Sequence, residues 1–222
     1  GEILGLLGAN GAGKSTLLKI IGGVQRSDKG GIYLDNENLG SLTPHFAQQK
    51  GIISVYQELN LFLNMTVAEN LFIGRENKTK TNLIDWKATR KKAKTILESL
   101  GLDIDPDAEV ASLSVANQHL VEIARALSNK PKILLLDEPT ASLSDKEIQW
   151  LFTKIRDLRQ NGTTVVYVSH RLDEVITLCE RCVVLRDGKL ADQLDGQFDK
   201  GKIIKSMIGH NVELIRTEAK KV

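Results

Sequence analysis

Hydrophobic and polar positions follow two rhythms along this chain. Short continuous apolar runs recur at residues 3–7, 32–34, 51–56, 133–136, 163–168 and 182–185. Runs of this length, rich in Val, Ile and Leu and bounded by glycine or polar clusters, predict buried strands. Between them the period lengthens. Leu17, Leu18, Ile20 and Ile21 follow a glycine-rich turn as a helix would. Thr66 stands as an N-cap for a helix through Phe72, with Glu69 at capping-box spacing. Trp86, Ala93, Ile96, Leu97 and Leu100, with Lys and Arg between them, predict an amphipathic helix over 85–100. Leu120, Ile123, Ala124 and Leu127 predict another over 117–127, and further helices are expected at 145–159 and 173–178. Asp35-Asn36 and Asp187-Gly188 read as tight turns, and the polar tract 76–81 as a surface loop.

Strand and helix alternate cleanly after residue 129, which predicts an α/β fold with a parallel sheet covered on both faces. The helical middle section interrupts that alternation. The 222 residues, 41% apolar and 26% charged, suit one large domain or a core with an inserted subdomain. A net charge of +2 gives no bulk attraction to nucleic acid, a membrane surface or an acidic substrate, so no nucleic-acid partner is expected. The apolar runs are too short to span a bilayer, and no signal-peptide pattern opens the chain, which points to the cytosol. The first residue is Gly1 and a strand begins almost at once, as in a piece excised from something longer. Cys179 and Cys182 have C-x-x-C spacing, but they follow a helical stretch and have no second ligand pair nearby. They are expected to be two small buried hydrophobes, not a redox or zinc site.

The chemistry begins at Gly8-Ala9-Asn10-Gly11-Ala12-Gly13-Lys14-Ser15-Thr16. The segment from Gly8 to Ser15 fits G-x-x-x-x-G-K-[ST] between a strand and a helix. Glycines let backbone N–H groups converge on phosphate oxygens, and the helix start adds its positive end. Lys14 can reach the β- and γ-phosphates, and the Ser15 hydroxyl can take a Mg²⁺ position.

The strand at 133–136 ends in Asp137-Glu138. At the carboxyl edge of a parallel sheet, Asp137 can hold Mg²⁺ through its waters, and Glu138 can orient or deprotonate a water in line with the γ-phosphate. His170 ends the next strand, where it can bond the γ-phosphate, and Gln57 follows another, where it can sense Mg²⁺ or the water. Each also has an ordinary alternative as a packing or surface residue, which is how His45, His119 and His210 are read.

In order, the phosphate loop, Gln57, Leu113-Ser114, Asp137-Glu138, Ser142-Leu143-Ser144-Asp145 and His170 resemble the ATPase domain of ABC transporters over essentially the whole chain. The resemblance implies a P-loop NTPase (RecA-like) core at 1–74 and 129–222, a small antiparallel β edge and a helical subdomain near 75–128. It implies ATP and Mg²⁺ as cofactors, and Ser114 and Asp145 as further nucleotide-site residues. Val55-Tyr56-Gln57-Glu58-Leu59-Asn60-Leu61, Ala68-Glu69-Asn70-Leu71, Gly74-Arg75-Glu76, Ile84-Asp85-Trp86, Val121-Glu122-Ile123-Ala124 and the segment from Ser169 to Glu174 are similar to the monosaccharide importer branch. That branch implies two fused ATPase halves, of which this resembles the first, ending near Met207-Ile208-Gly209. It also implies transmembrane permease subunits, a sugar-binding protein acting indirectly, and a peripheral place on the cytoplasmic face of the membrane. Gln57 and the segment after it are expected to contribute to the permease contact.

Two departures stand out. The family signature Leu-Ser-Gly-Gly-Gln here runs Leu113-Ser114-Val115-Ala116-Asn117. Val115 resists positive φ and Ala116 adds a Cβ, so the signature is expected to serve a partner's site poorly and make the two sites unequal. The family also stacks adenine on an aromatic residue upstream of the phosphate loop, which this sequence starts too late to include, so weaker nucleotide affinity is expected. Competing readings are a soluble ABC-type ATPase without membrane partners, a P-loop kinase, and a nucleotide-binding scaffold. The first lacks its usual coiled-coil or basic extensions, the second leaves Ser114 and His170 idle, and Glu138 speaks against the third.

Overall fold

The computed structural model describes residues 1–208; His210 and the end expected near Gly209 lie outside them. The chain opens with β1 (Ile3–Gly8), α1 (Lys14–Ile21), β2 (Tyr33–Leu34), β3 (Glu37–Asn38), α2 (Pro44–Gln49) and β4 (Ile52–Val55). Three helices follow: α3 (Val67–Phe72), α4 (Trp86–Leu100) and α5 (Val115–Ser128). Strand and helix then alternate through β5 (Ile133–Asp137), α6 (Asp145–Gln160), β6 (Thr164–Val168), α7 (Leu172–Leu178), β7 (Arg181–Arg186), β8 (Lys189–Asp195) and α8 (Lys200–Ile208).

Six strands form one sheet in the order β4-β5-β6-β1-β7-β8. The first five are parallel, and β8 returns antiparallel on β7. The continuous apolar run in β5 follows from burial on both faces. Leu135 packs with Leu6 and Val168 against Leu18 of α1 and Ala47 of α2. Leu134 and Leu136 face the opposite layer, with Leu151, Phe152 and Ile155 of α6 and Val175 of α7. Each such leucine contributes roughly 2 kcal/mol by leaving water. The β2–β3 hairpin turns at Asp35 and Asn36, φ 51° and 65°, the left-handed pair that a two-residue hairpin loop requires. Asp187 and Gly188, φ 51° and 74°, repeat the device between β7 and β8.

A separate apolar cluster joins α3, α4 and α5 through Leu71, Phe72, Ala93, Leu97, Leu120 and Val121. It therefore reaches back beyond residue 75, where the resemblance sets the expected start of a helical subdomain. α3 begins as its capping box predicts: Glu69 N–H donates to Thr66 Oγ1 at 3.2 Å and Thr66 N–H to Glu69 Oε2 at 2.7 Å. Such a cap is worth about 1 kcal/mol. Trp86 departs from expectation; as the first residue of α4 it is exposed, and the buried stripe is Thr89, Ala93 and Leu97. α2 is absent from the periodicity; Thr43 caps it by accepting from Phe46 N–H and Pro44 opens it. Both cysteines are buried as expected. A hydrogen bond with Cys182, followed by burial, pushes the Cys179 thiol up, away from the thiolate that redox or metal chemistry needs.

Candidate functional site

Because β1, β4, β5 and β6 run parallel, their carboxyl ends share one edge of the sheet, and each delivers a predicted residue there. The loop after β1 supplies residues 10–16, the segment after β4 supplies Gln57, β5 ends in Asp137 with Glu138 next, and His170 follows β6. Asn10, Gly11, Ala12, Gly13, Lys14, Ser15, Thr16, Gln57, Asp137, Glu138 and His170 line a single cleft of about 690 Å³. That volume suits a nucleotide-sized ligand.

The loop's shape depends on its glycines. A Cβ on Gly8 would sit 2.4 Å from the Leu185 carbonyl oxygen of β7, so only glycine leaves β1 this close to its neighbour. Gly13 occupies the N-cap of α1 at φ 99°, a left-handed conformation that turns the following N–H groups toward the cleft. The β7–β8 turn braces the loop, with Gly188 N–H donating to the Ala12 carbonyl at 3.2 Å. Gly8 and Ala9 lie behind the lining. Their carbonyls accept from Lys14 Nζ at 2.8 and 3.0 Å, holding the ammonium across the loop.

Asp137 is 5% exposed, and burial pushes its carboxyl up while the adjacent Ser15 hydroxyl works in the opposite direction. A buried carboxylate beside a hydroxyl, both hard oxygen donors, fits Mg²⁺. Among the described residues no group of three or more His, Cys, Asp or Glu could hold a metal. A magnesium ion here would accordingly complete its shell with phosphate and water oxygens. Glu138 takes φ 51°, uncommon for a residue with a side chain, and its N–H donates to the Val168 carbonyl at 2.9 Å. Its Oε2 lies 3.2 Å from Nδ1 of the largely exposed His170. With Nδ1–H donating to Glu138, Nε2 accepts in the neutral ring and donates in the imidazolium.

Ser114 and Asp145 are exposed and lie outside this cleft. Ser114 caps α5 by accepting from Asn117 N–H at 3.2 Å. α5 consequently begins two residues earlier than the periodicity predicts, and Val115 and Ala116 are its first helical residues. The Val115 backbone is helical and takes no positive φ, while Val115, Ala116 and Asn117 all still depart from the signature. His119 is a buried residue of α5 and its imidazole pKa is lowered by that burial, while His45 is exposed; neither lines the cleft. Sequence reasoning gave no role to Glu174 of α7. It is buried and receives bonds from Thr140, Tyr167, Ser169 and Arg171, which surround the two cleft turns.

A family model described as ABC transporter matches residues 1–141. The ribose import ATP-binding protein RbsA of Chromobacterium violaceum is 45% identical over 214 residues, covering 96% of this chain and 42% of that protein. RbsA of Geobacillus kaustophilus is 43% identical over 216 residues, with 96% and 43% covered. The chain therefore spans about two-fifths of the length of these curated relatives. A nucleotide-free ATP-binding cassette from an ABC transporter superposes with a TM-score of 0.78 at 28% identity, over 96% of this chain and 86% of that one. A dimeric ATP-binding cassette in a post-hydrolysis state with ADP and Pi gives 0.76 at 29% identity, over 89% and 87%. Sequence motifs, sheet order, cleft and relatives converge: this chain belongs to the ABC transporter family.

Proposed function

We propose that this chain binds and hydrolyses ATP with Mg²⁺, and that the energy drives import of a sugar across the cytoplasmic membrane by an ABC transporter. One observation carries the reading: the phosphate loop, Asp137, Glu138, His170 and Gln57 come from four strand ends and line one cleft. The role named for the relatives, ribose import, supports the sugar assignment.

In this reading the loop N–H groups and Lys14 hold the β- and γ-phosphates, Lys14 exchanging two carbonyl partners for phosphate oxygens. Ser15 and Asp137 would hold Mg²⁺, which when bound would neutralise phosphate charge and favour the leaving group. Glu138 accepts a proton from the attacking water. His170, bonded to Glu138 through Nδ1, directs its other ring nitrogen to the γ-phosphate and stabilises the charge spreading there. Gln57 contacts the same ligands from the segment leading to α3 and transmits their presence toward the helical layer.

Ser114 and Asp145, exposed and outside this chain's own cleft, act on the nucleotide of a second ATPase domain, fused in the parent chain. Permease subunits and, indirectly, a sugar-binding protein complete the assembly, with this domain peripheral on the cytoplasmic face. Among the described residues no helix is long and apolar enough to cross a membrane. Steady-state hydrolysis tests the core of this reading. Glu138→Gln is expected to lower kcat by at least about a hundredfold while ATP binding stays within severalfold. Undiminished turnover in that variant rejects the assignment.

A further inference from the structure

Glu174 makes a denser set of bonds than packing a helix on a sheet requires. Its carboxylate is 5% exposed. Thr140 Oγ1 lies 2.9 and 3.0 Å from its two oxygens. Tyr167 donates its phenol to Oε2 at 2.7 Å and Ser169 its hydroxyl at 2.8 Å. Arg171 Nη1 reaches Oε1 at 2.8 Å. Desolvating a carboxylate is costly, and four donors around one group is close to its full capacity. An apolar residue would fasten α7 to the sheet with a smaller penalty, so the charge points to a task beyond packing.

The donors' positions specify the task. Thr140 comes two residues after Glu138, while Ser169 and Arg171 immediately precede and follow His170. Ser169 is itself fixed, since its hydroxyl accepts from Arg171 N–H at 3.0 Å. The turn after β5 and the turn after β6 are therefore tied to one buried anion from opposite sides. On the cleft side of the same turns, Glu138 N–H bonds Val168 and Glu138 Oε2 meets His170 Nδ1. Glu138 also sits in a left-handed conformation, which persists only where surrounding bonds over-determine it.

We propose that Glu174 is a positioning residue for hydrolysis: it clamps the two turns together and so sets the separation and orientation of Glu138 and His170. It touches no substrate and acts through that pair. The proposal rests on the ATPase reading given above.

Two variants test it on the intact protein. Glu174→Gln removes the charge, and Thr140→Val removes one arm of the clamp without changing charge. Both are expected to lower kcat about tenfold with KM for ATP within about twofold of wild type. In a His170→Ala background neither lowers kcat by more than a further twofold or so, because both act through the pair already broken. Folded variants with unchanged kcat, or losses that multiply in that background, overturn the proposal. A second readout needs no turnover. At fixed alkaline pH the ring resonances of His170 in Thr140→Val should move toward their position in Glu138→Gln, with His45 unmoved. Unmoved His170 resonances overturn the proposal. Absence of ATP turnover in the wild type rejects the functional reading instead, and the resonance comparison then decides the role of Glu174.

Discussion

At Glu138 the backbone adopts φ 51°, held by the bond from its N–H to Val168. For a residue with a Cβ this conformation costs about 1–2 kcal/mol, tolerated because it carries the carboxylate off the strand end and into the cleft. Glu138→Gly and Glu138→Ala both remove the carboxylate but differ in this strain. The glycine variant is expected to be more stable by about 1 kcal/mol in urea denaturation. Equal stabilities, or a more stable alanine variant, contradict a strained Glu138. Residues whose chemistry is set locally were readable in sequence. Gly8 to Ser15 is contiguous, and Asp137-Glu138 ends an apolar strand, so both announce their place at a sheet edge. Glu174 was not readable as more than a helix residue, since its donors come from two segments, one of them 34 residues away at Thr140, that meet around it only in the fold.

Among the elements, α5 links the helical cluster to the sheet core. Ser114 caps its start, Leu120, Val121 and Ala124 bury it against α3 and α4, and Ile123 and Leu127 reach the sheet core. Glu122, on the same helix, accepts from Asn60 N–H at 3.2 Å, three residues beyond Gln57, and lies 3.4 Å from Arg125 Nη2. Its Oε2 has no hydrogen-bond partner among the described residues. Burial raises its pKa more than the bond from Asn60 and the charge of Arg125 lower it. The native state therefore holds this proton more tightly than the unfolded chain. The stability this contributes is fully present below the ordinary carboxylate range near pH 4 and is lost as pH rises through the raised value. Urea midpoints across that window should fall less steeply with pH in Glu122→Gln than in wild type. Parallel profiles contradict an elevated Glu122. The cap at Ser114 also accounts for the helical backbone of Val115. Periodicity starts the helix at Asn117, whereas α5 begins two residues earlier at Val115, behind the exposed cap Ser114. Trp86 was misplaced for a related reason: an aromatic at the first helical position can point away from the stripe that its spacing suggests.

For the whole molecule, the parallel sheet is what turns separate motifs into one site. Chain order places the phosphate loop, Gln57, the two acids and His170 far apart, and strand order brings all four ends to one edge. The same layout leaves Ser114 and Asp145 exposed and outside that cleft, where a second domain can meet them. The family relationship and the α/β fold agree with what the pattern of strands and motifs predicted. The apolar cluster that joins α3 to α4 and α5 begins before residue 75, the boundary that the resemblance implies for a helical subdomain. The central claim is that the cleft holds the polyphosphate of ATP between the loop and the paired Glu138 and His170. A crystal structure of Glu138→Gln grown with saturating ATP and Mg²⁺ tests it directly. The account predicts γ-phosphate density in the cleft, with Lys14 Nζ moved from the Gly8 and Ala9 carbonyls onto phosphate oxygens. Lys14 still bonded to those carbonyls, with nucleotide absent or bound elsewhere, contradicts it.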